Sequence, residues 1–121
     1  MNAVFALLFA GQASLGGLPA PTDCAALKAL QLPDVKITEA LATPANAPAP
    51  VPPSPLGAPP AITVPYCKVN GTVGREIKFT LLLPDQWNRK FMMGGGGGFV
   101  EGIDNQAITS VNVGYATVGT D

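Results

Sequence analysis

Apolar and polar residues alternate most regularly in the second half of the chain. In residues 76–84, "EIKFTLLLP", alternate positions are apolar, and residues 67–73, "CKVNGTV", are rich in β-branched side chains. The turn residues "VGRE" join the two segments, so the pattern predicts a β-hairpin. Two short segments follow, "RKFMM" at 89–93, which ends in three apolar residues, and "YATV" at 115–118, and each predicts a short buried strand.

Two segments have the pattern of short helices. "PTDCAALKAL" offers Thr22 or Asp23 as an N-cap before good helix formers and ends before Pro33. "IDNQAITSVNVG" offers Asp104 as an N-cap, with Gly114 just past the helix end. Because this second helix would connect two strands, the order of elements predicts an α/β fold in which the later strands run parallel. The sheet so predicted is incomplete.

The first 65 residues divide into two parts. Residues 1–18 predict a signal peptide and leader, with an apolar stretch at 3–10 and cleavage after Ala13. No basic residue precedes Lys28, so an ordinary apolar N-terminal helix remains the alternative. Eight helical residues would span about 12 Å, too short for a membrane anchor. Residues 19–65 hold the first helix and a proline-rich segment that predicts an extended surface loop.

Composition excludes several classes of function. The chain has 121 residues, enough for one domain, with 12% charged residues and a net charge of −1. No basic block is present, so neither nucleic acid nor, after signal cleavage, a membrane is an expected partner. Histidine is absent. A complete nucleophile triad must therefore lie elsewhere, and we expect no metal and no cofactor in this chain.

The two cysteines predict a disulfide. Cys24 and Cys67 are an even pair, and export would place them in the oxidising environment of a secreted or periplasmic protein. A bridge would close the loop that contains the proline-rich segment. Two free buried thiols are the alternative.

Five consecutive glycines, residues 94–98, follow the third predicted strand and allow three interpretations. A phosphate-binding loop fails because no register gives G-x-G-x-x-G and no Lys-Ser or Lys-Thr pair follows. The second interpretation is a tight turn that binds no ligand. The third is an oxyanion hole, in which a backbone N–H stabilises a negative oxygen and a Cβ would obstruct the substrate.

Residues 66–121 resemble the N-terminal part of the tannase and feruloyl esterase family, which includes the enzyme that cleaves mono-(2-hydroxyethyl) terephthalate. The shared features are a Cys before a polar strand, "I-x-F-x-x-x-L-P", "W-N-x-K-F", a glycine-rich loop ending in Phe, and "G-Y-A-x-x-x-T-D". The resemblance implies the first strands of an α/β-hydrolase core in an exported serine hydrolase of small aromatic-acid esters. Aligning the loop on Phe99 implies an oxyanion donor at Gly96 or Gly97, and Gly94, nearer the strand end, should tolerate alanine better than the donor glycine.

The same resemblance shows what this sequence lacks. The family's Cys-Ser elbow and His-Cys pair are absent, as is the lid, where family members carry a calcium site. The resemblance therefore implies an N-terminal fragment that is inactive alone; a small exported binding or structural domain without catalysis is the alternative. The sequence predicts no oligomeric state.

Other polar residues receive only structural roles. Asp104 and Asp121 fit cap and turn positions, and Arg89 replaces the glycine of the family's usual "W-N-G". No serine lies in a G-x-S-x-G elbow; those considered are Ser14, Ser54 and Ser110. Asn70 begins a glycosylation sequon, "NGT", which has meaning only in a eukaryotic secretory host.

Overall fold

A mixed β-sheet organises the chain. The computed structural model describes residues 23–48, 57–58, 60–95, 103 and 105–121. Within these residues the sheet has five strands in the order β1-β2-β3-β5-β4. Their bounds are β1 Val35–Thr43, β2 Tyr66–Val73, β3 Ile77–Pro84, β4 Phe91–Met93 and β5 Ala116–Thr120.

The predicted hairpin is confirmed. β2 and β3 pair antiparallel without a register shift, and Gly74 turns the chain between them with φ of 61°. Gly71 lies opposite Phe79, and a Cβ at Gly71 would stand 2.6 Å from Cζ of the Phe79 ring. Gly71 thus leaves the space that the aromatic ring of the neighbouring strand occupies.

The predicted parallel connection is also confirmed, because β4 and β5 pair in parallel. The chain between them contains a 3-10 helix, η2, at Ile108–Val113. Its N-cap is Ala107, without a side-chain cap bond, so the prediction of an Asp104 cap is wrong; Asp104 itself lies outside the described residues. Gly114 is the C-cap, as predicted, with φ of 93° in the left-handed region.

Strand β1 is an element that the sequence analysis does not predict. Val35–Thr43 pairs antiparallel with β2, with a bulge between Ile37 and Glu39. The sheet therefore begins inside residues 19–65 and not at Tyr66. The bulge interrupts the alternation of side chains, and Ala and Leu within "TEALAT" favour helix as much as strand, so the local pattern gives no clear strand signal.

A disulfide joins the first helix to the sheet. The 3-10 helix η1, Cys24–Ala29, has Asp23 as its N-cap, whose carboxylate accepts a hydrogen bond from the Ala25 N–H at 3.3 Å. The predicted bridge between Cys24 and Cys67 is present, with 5.7 Å between the Cα atoms. Through this bond η1 is fixed to β2.

The two ends of the proline-rich segment lie together. The Asn46 N–H donates to the Ile62 carbonyl at 2.9 Å, although residues 49–56 and 59, between them, lie outside the described residues. This backbone hydrogen bond closes the loop and places Ile62 at the core.

The core lies between the sheet and η2. Its buried members come from β2, β3, η2 and the segment before β2, and Val64 packs against them; they are Ile62, Tyr66, Leu82, Ile108 and Val111. Burial raises the pKa of the Tyr66 phenol, and a hydrogen bond with Thr43 offsets part of that rise. Tyr66 is therefore a neutral core residue at physiological pH.

Strand β4 is exposed, which corrects the prediction of a buried strand. Phe91 is 58% and Met93 61% exposed, and among the described residues β4 pairs on one side only, with β5. An apolar run in the sequence favours burial of that segment, but a strand at the edge of a sheet has no neighbouring strand on its open side.

No described helix is long and apolar enough to cross a membrane.

Candidate functional site

The glycine run begins at the carboxyl end of β4. The Gly94 N–H donates to the Val118 carbonyl of β5 at 3.0 Å, which adds one hydrogen bond beyond the last residue of the strand. The chain is thus bonded to β5, an interior strand, as far as Gly94, the first residue of the glycine run. Gly96 and Gly97, the predicted oxyanion donors, lie outside the described residues.

Gly94 has a packing role that the sequence does not reveal. A Cβ at this position would collide with Oδ1 of Asn105 and would stand 2.8 Å from the backbone nitrogen of Ala107. An alanine at Gly94 would therefore force the Asn105 amide or the backbone at Ala107 to shift. Whether Gly94 tolerates alanine better than Gly96 or Gly97 stays a prediction, because those two glycines lie outside the described residues. At Gly95 a Cβ would meet no atom of the described residues within 4 Å.

Asn105 forms the other side of this contact. It is 8% exposed, and its Nδ2 donates to Oγ1 of the fully buried Thr117 at 3.0 Å. Its Oδ1 accepts a hydrogen bond from the Ala107 N–H at 3.0 Å. Both polar atoms of the amide are thus satisfied without water, as a buried amide requires.

Sequence reasoning misses both Asn105 and Thr117. The available signals are weak: an asparagine shortly before a helix, and a threonine within the otherwise apolar run "YATV". Each is common by itself, and only the fold brings the two side chains together.

The "WNRK" turn holds the beginning of β4 against the end of η2. Asn88 donates from its backbone N–H to the Gly114 carbonyl and from Nδ2 to the Val113 carbonyl, each at 2.9 Å. Its Oδ1 accepts the Lys90 N–H at 2.9 Å, and the Trp87 indole N–H donates to the Lys90 carbonyl at 2.8 Å. The motif that helped to suggest the family therefore positions β4 and does not itself supply chemistry.

The remaining candidate polar residues are structural where the structure describes them. An Asp121 carboxylate oxygen accepts the Lys78 N–H at 2.7 Å, joining the end of β5 to β3. The Ser110 hydroxyl lies 3.5 Å from the sulfur of Met92 on exposed surface. Ser14 and Ser54 lie outside the described residues. Within the described part of the chain, no group of His, Cys, Asp or Glu side chains is arranged to hold a metal ion.

Asn70 ties three strands together through its side chain. Its Nδ2 donates to Glu39 on β1 and its Oδ1 accepts from the Thr80 hydroxyl on β3, both at 2.7 Å. Lys68 lies 3.3 Å from the same Glu39 oxygen. A sugar on Nδ2 would have to fit into this half-buried network.

Comparison with known proteins identifies the kind of chain that carries this site. No protein-family model matches it. A probable feruloyl esterase of Arthroderma benhamiae is 33% identical over 108 residues, an alignment that covers 82% of this chain and 20% of that protein. The chain belongs to the tannase and feruloyl esterase family. The resemblance found in the sequence is thereby confirmed.

Solved structures agree on the fold of this family member. An esterase from Aspergillus oryzae has a TM-score of 0.66 at 21% identity, covering 80% of this chain and 21% of that one. Feruloyl esterase B from Aspergillus oryzae has a TM-score of 0.66 at 22% identity, covering 80% and 20%. The chain thus spans about one fifth of the length of each of these relatives.

Proposed function

We propose that this chain is part of a secreted serine hydrolase that cleaves small esters of aromatic acids such as ferulate or gallate, and that it supplies the oxyanion loop. The observation that carries the proposal is that the glycine run begins at Gly94, at the carboxyl end of β4, where Gly94 is bonded to the interior parallel strand β5. In α/β-hydrolases one oxyanion donor comes from the loop at the end of such a strand. The feruloyl esterase relative supports the substrate class.

The strand count fits an α/β-hydrolase core if β1 precedes that core. In that fold the donor loop follows the third strand, whereas here the glycines follow β4. Among the described residues β1 pairs only with β2, at the edge of the sheet. Setting β1 aside makes β4 the third strand. We therefore assign β1 as an addition ahead of an α/β-hydrolase core.

In the proposed reaction a serine oxygen attacks the ester carbonyl carbon while a histidine takes the hydroxyl proton. The carbonyl π electrons move onto oxygen, and the N–H of Gly96 or Gly97 donates to that oxyanion. When the tetrahedral intermediate collapses, the alcohol leaves with the proton from histidine. This chain has no histidine, so another part of the enzyme must provide the base.

The rest of the assignment follows the same proposal. The Cys24–Cys67 bridge is typical of proteins in an oxidising compartment, which supports export. The predicted signal peptide, residues 1–18, lies outside the described residues. A lid and its calcium would belong to parts of the enzyme other than this chain.

Kinetics of a glycine-loop variant test the proposal. The reading frame that contains this chain is expressed with everything that follows Asp121, and hydrolysis of methyl ferulate and methyl gallate is measured. Replacing Gly96 and Gly97 together with proline removes both candidate donors, so kcat should fall roughly 100- to 1000-fold. Thermal melting checks that the variant is folded.

Two outcomes contradict the proposal. A folded double variant with near wild-type kcat would show that the glycines form only a turn. A reading frame that adds neither a Cys-Ser elbow nor a His-Cys pair would favour a small non-catalytic exported domain.

The 121-residue chain alone should hydrolyse neither ester above the buffer rate, since it lacks a histidine.

A further inference from the structure

We propose that Asn105 is a positioning residue that anchors the returning end of the glycine loop to β5 and so sets where the oxyanion donors lie. The inference rests on the proposed esterase function for its catalytic consequence. Its structural part, the anchoring itself, rests on described residues alone.

Both ends of the loop are fixed to the same strand. The outgoing end is held by the hydrogen bond from the Gly94 N–H to the Val118 carbonyl, at 3.0 Å. The returning end is held by the hydrogen bond from Asn105 to the Thr117 hydroxyl, also at 3.0 Å. Thr117 and Val118 are consecutive residues of β5, which lies between β3 and β4. The described residues before and after the loop are therefore bonded to adjacent residues of one strand.

Direct contact between the ends sets their separation. The Asn105 amide lies over Gly94 so closely that a Cβ there would collide with it. Oδ1 of Asn105 also accepts the Ala107 N–H, which directs the chain into η2. The two polar atoms of the amide thus bond different partners, Nδ2 the Thr117 hydroxyl and Oδ1 the Ala107 N–H. Because the site is buried, water cannot readily replace either partner.

Donor position matters because the oxyanion must lie about 3 Å from the N–H, and small displacements lower the rate steeply. If the returning end is released, the donors lose one of their two supports while the substrate-binding surface is unchanged. The defect should appear in kcat more than in KM.

The test compares variants of the full-length enzyme. Asn105→Ala, and Gly94→Ala through displacement of the amide, should lower kcat on methyl ferulate by on the order of 10- to 100-fold, with KM near wild type. Thr117→Val should do the same, whereas Thr117→Ser keeps the hydroxyl and should retain most of the activity. The Asn105→Ala, Thr117→Val double variant should have a kcat no lower than that of the worse single variant, because both changes break the same hydrogen bond.

Asn112 supplies a matched control. Asn112 lies on η2, and its Oδ1 accepts the Thr63 N–H at 2.8 Å while its Nδ2 donates to the Ala61 carbonyl at 3.1 Å. Asn112→Ala thus removes a comparable structural amide, and should lower Tm without changing kcat. If Asn105→Ala behaves like Asn112→Ala, or stays folded with unchanged kcat, the positioning role is refuted.

Protease cleavage tests anchoring independently of catalysis. Glutamyl endopeptidase cleaves after glutamate; Glu101 lies between Gly94 and Asn105 in the sequence, and exposed Glu76 lies in the β2–β3 turn. Asn105→Ala should speed cleavage at Glu101 relative to Glu76, and Asn112→Ala should not. If the wild-type enzyme hydrolyses neither ester, the proposed function fails, and the cleavage ratio alone decides the anchoring; an unchanged ratio overturns it.

Discussion

Arg89 adopts a backbone conformation that favours glycine. Its φ is 69°, in the left-handed region, where a residue with a Cβ is strained by about 1–2 kcal/mol. The turn nevertheless holds this shape, because Asn88 bonds the chain on both sides of it. The family's usual glycine after "W-N" is thus explained by backbone geometry.

Arg89→Gly should therefore stabilise the protein. Relief of strain outweighs the greater entropy of glycine in the unfolded chain, so we expect the free energy of unfolding to rise by about 0.5–1 kcal/mol. Urea denaturation at equilibrium measures it. Arg75→Gly, in the β2–β3 turn, is the control and should destabilise, because Arg75 is not among the residues with positive φ. Equal effects at the two sites would contradict the explanation.

Neighbouring glycines show the limit of residue-level prediction. In "GGGGG" nothing distinguishes Gly94 from Gly95, yet Gly94 lies under the Asn105 amide while a Cβ at Gly95 would meet no atom of the described residues. The difference arises from a residue further along the chain that the fold brings back. The sequence indicated that some backbone in this run must be approached closely, but not by what.

At the level of elements, Asn70 joins three strands through its side chain. Its two hydrogen bonds reach β1 and β3, so its replacement affects both pairings of β2. Asn70→Ala should lower the free energy of unfolding by about 1–3 kcal/mol, because the Thr80 hydroxyl and the Glu39 carboxylate lose a half-buried partner. Thermal or urea unfolding measures the loss.

A neighbouring residue provides the comparison. Thr72 lies on the same face of β2, two residues nearer the turn, and Thr72→Ala should cost clearly less. If both substitutions cost the same, the network contributes little beyond packing.

Elements could be predicted where the local pattern alone decides them. The hairpin and β5 follow from alternation and apolar runs, and the cysteine count indicated the disulfide that is present. β1 was missed because its bulge and its alanines hide the strand pattern. The exposure of β4 was missed because burial of an edge strand depends on what pairs beside it.

For the molecule as a whole, the face of the sheet opposite η2 becomes uncovered towards strand β4. Leu82 and Thr117 face η2 and are buried. On the opposite face Leu81, Val118 and Met93 are register partners across β3, β5 and β4, and the exposure rises towards the edge. A row of apolar side chains thus leads to an open strand edge within the described residues.

This arrangement predicts self-association of the 121-residue chain. Exposed apolar surface together with unpaired strand N–H and C=O groups favours pairing with another copy. Changing both Phe91 and Met93 to lysine should suppress association, because charge on an edge strand opposes pairing. Light scattering across a concentration series measures the mean mass, which should rise with concentration for the wild type and stay monomeric for the double variant. Val113→Lys is the control: Val113 is 68% exposed but belongs to η2 and takes no part in strand pairing, so its replacement should leave association unchanged. A wild-type chain that stays monomeric throughout, or equal suppression by Val113→Lys, would show that the β4 edge is not the associating surface.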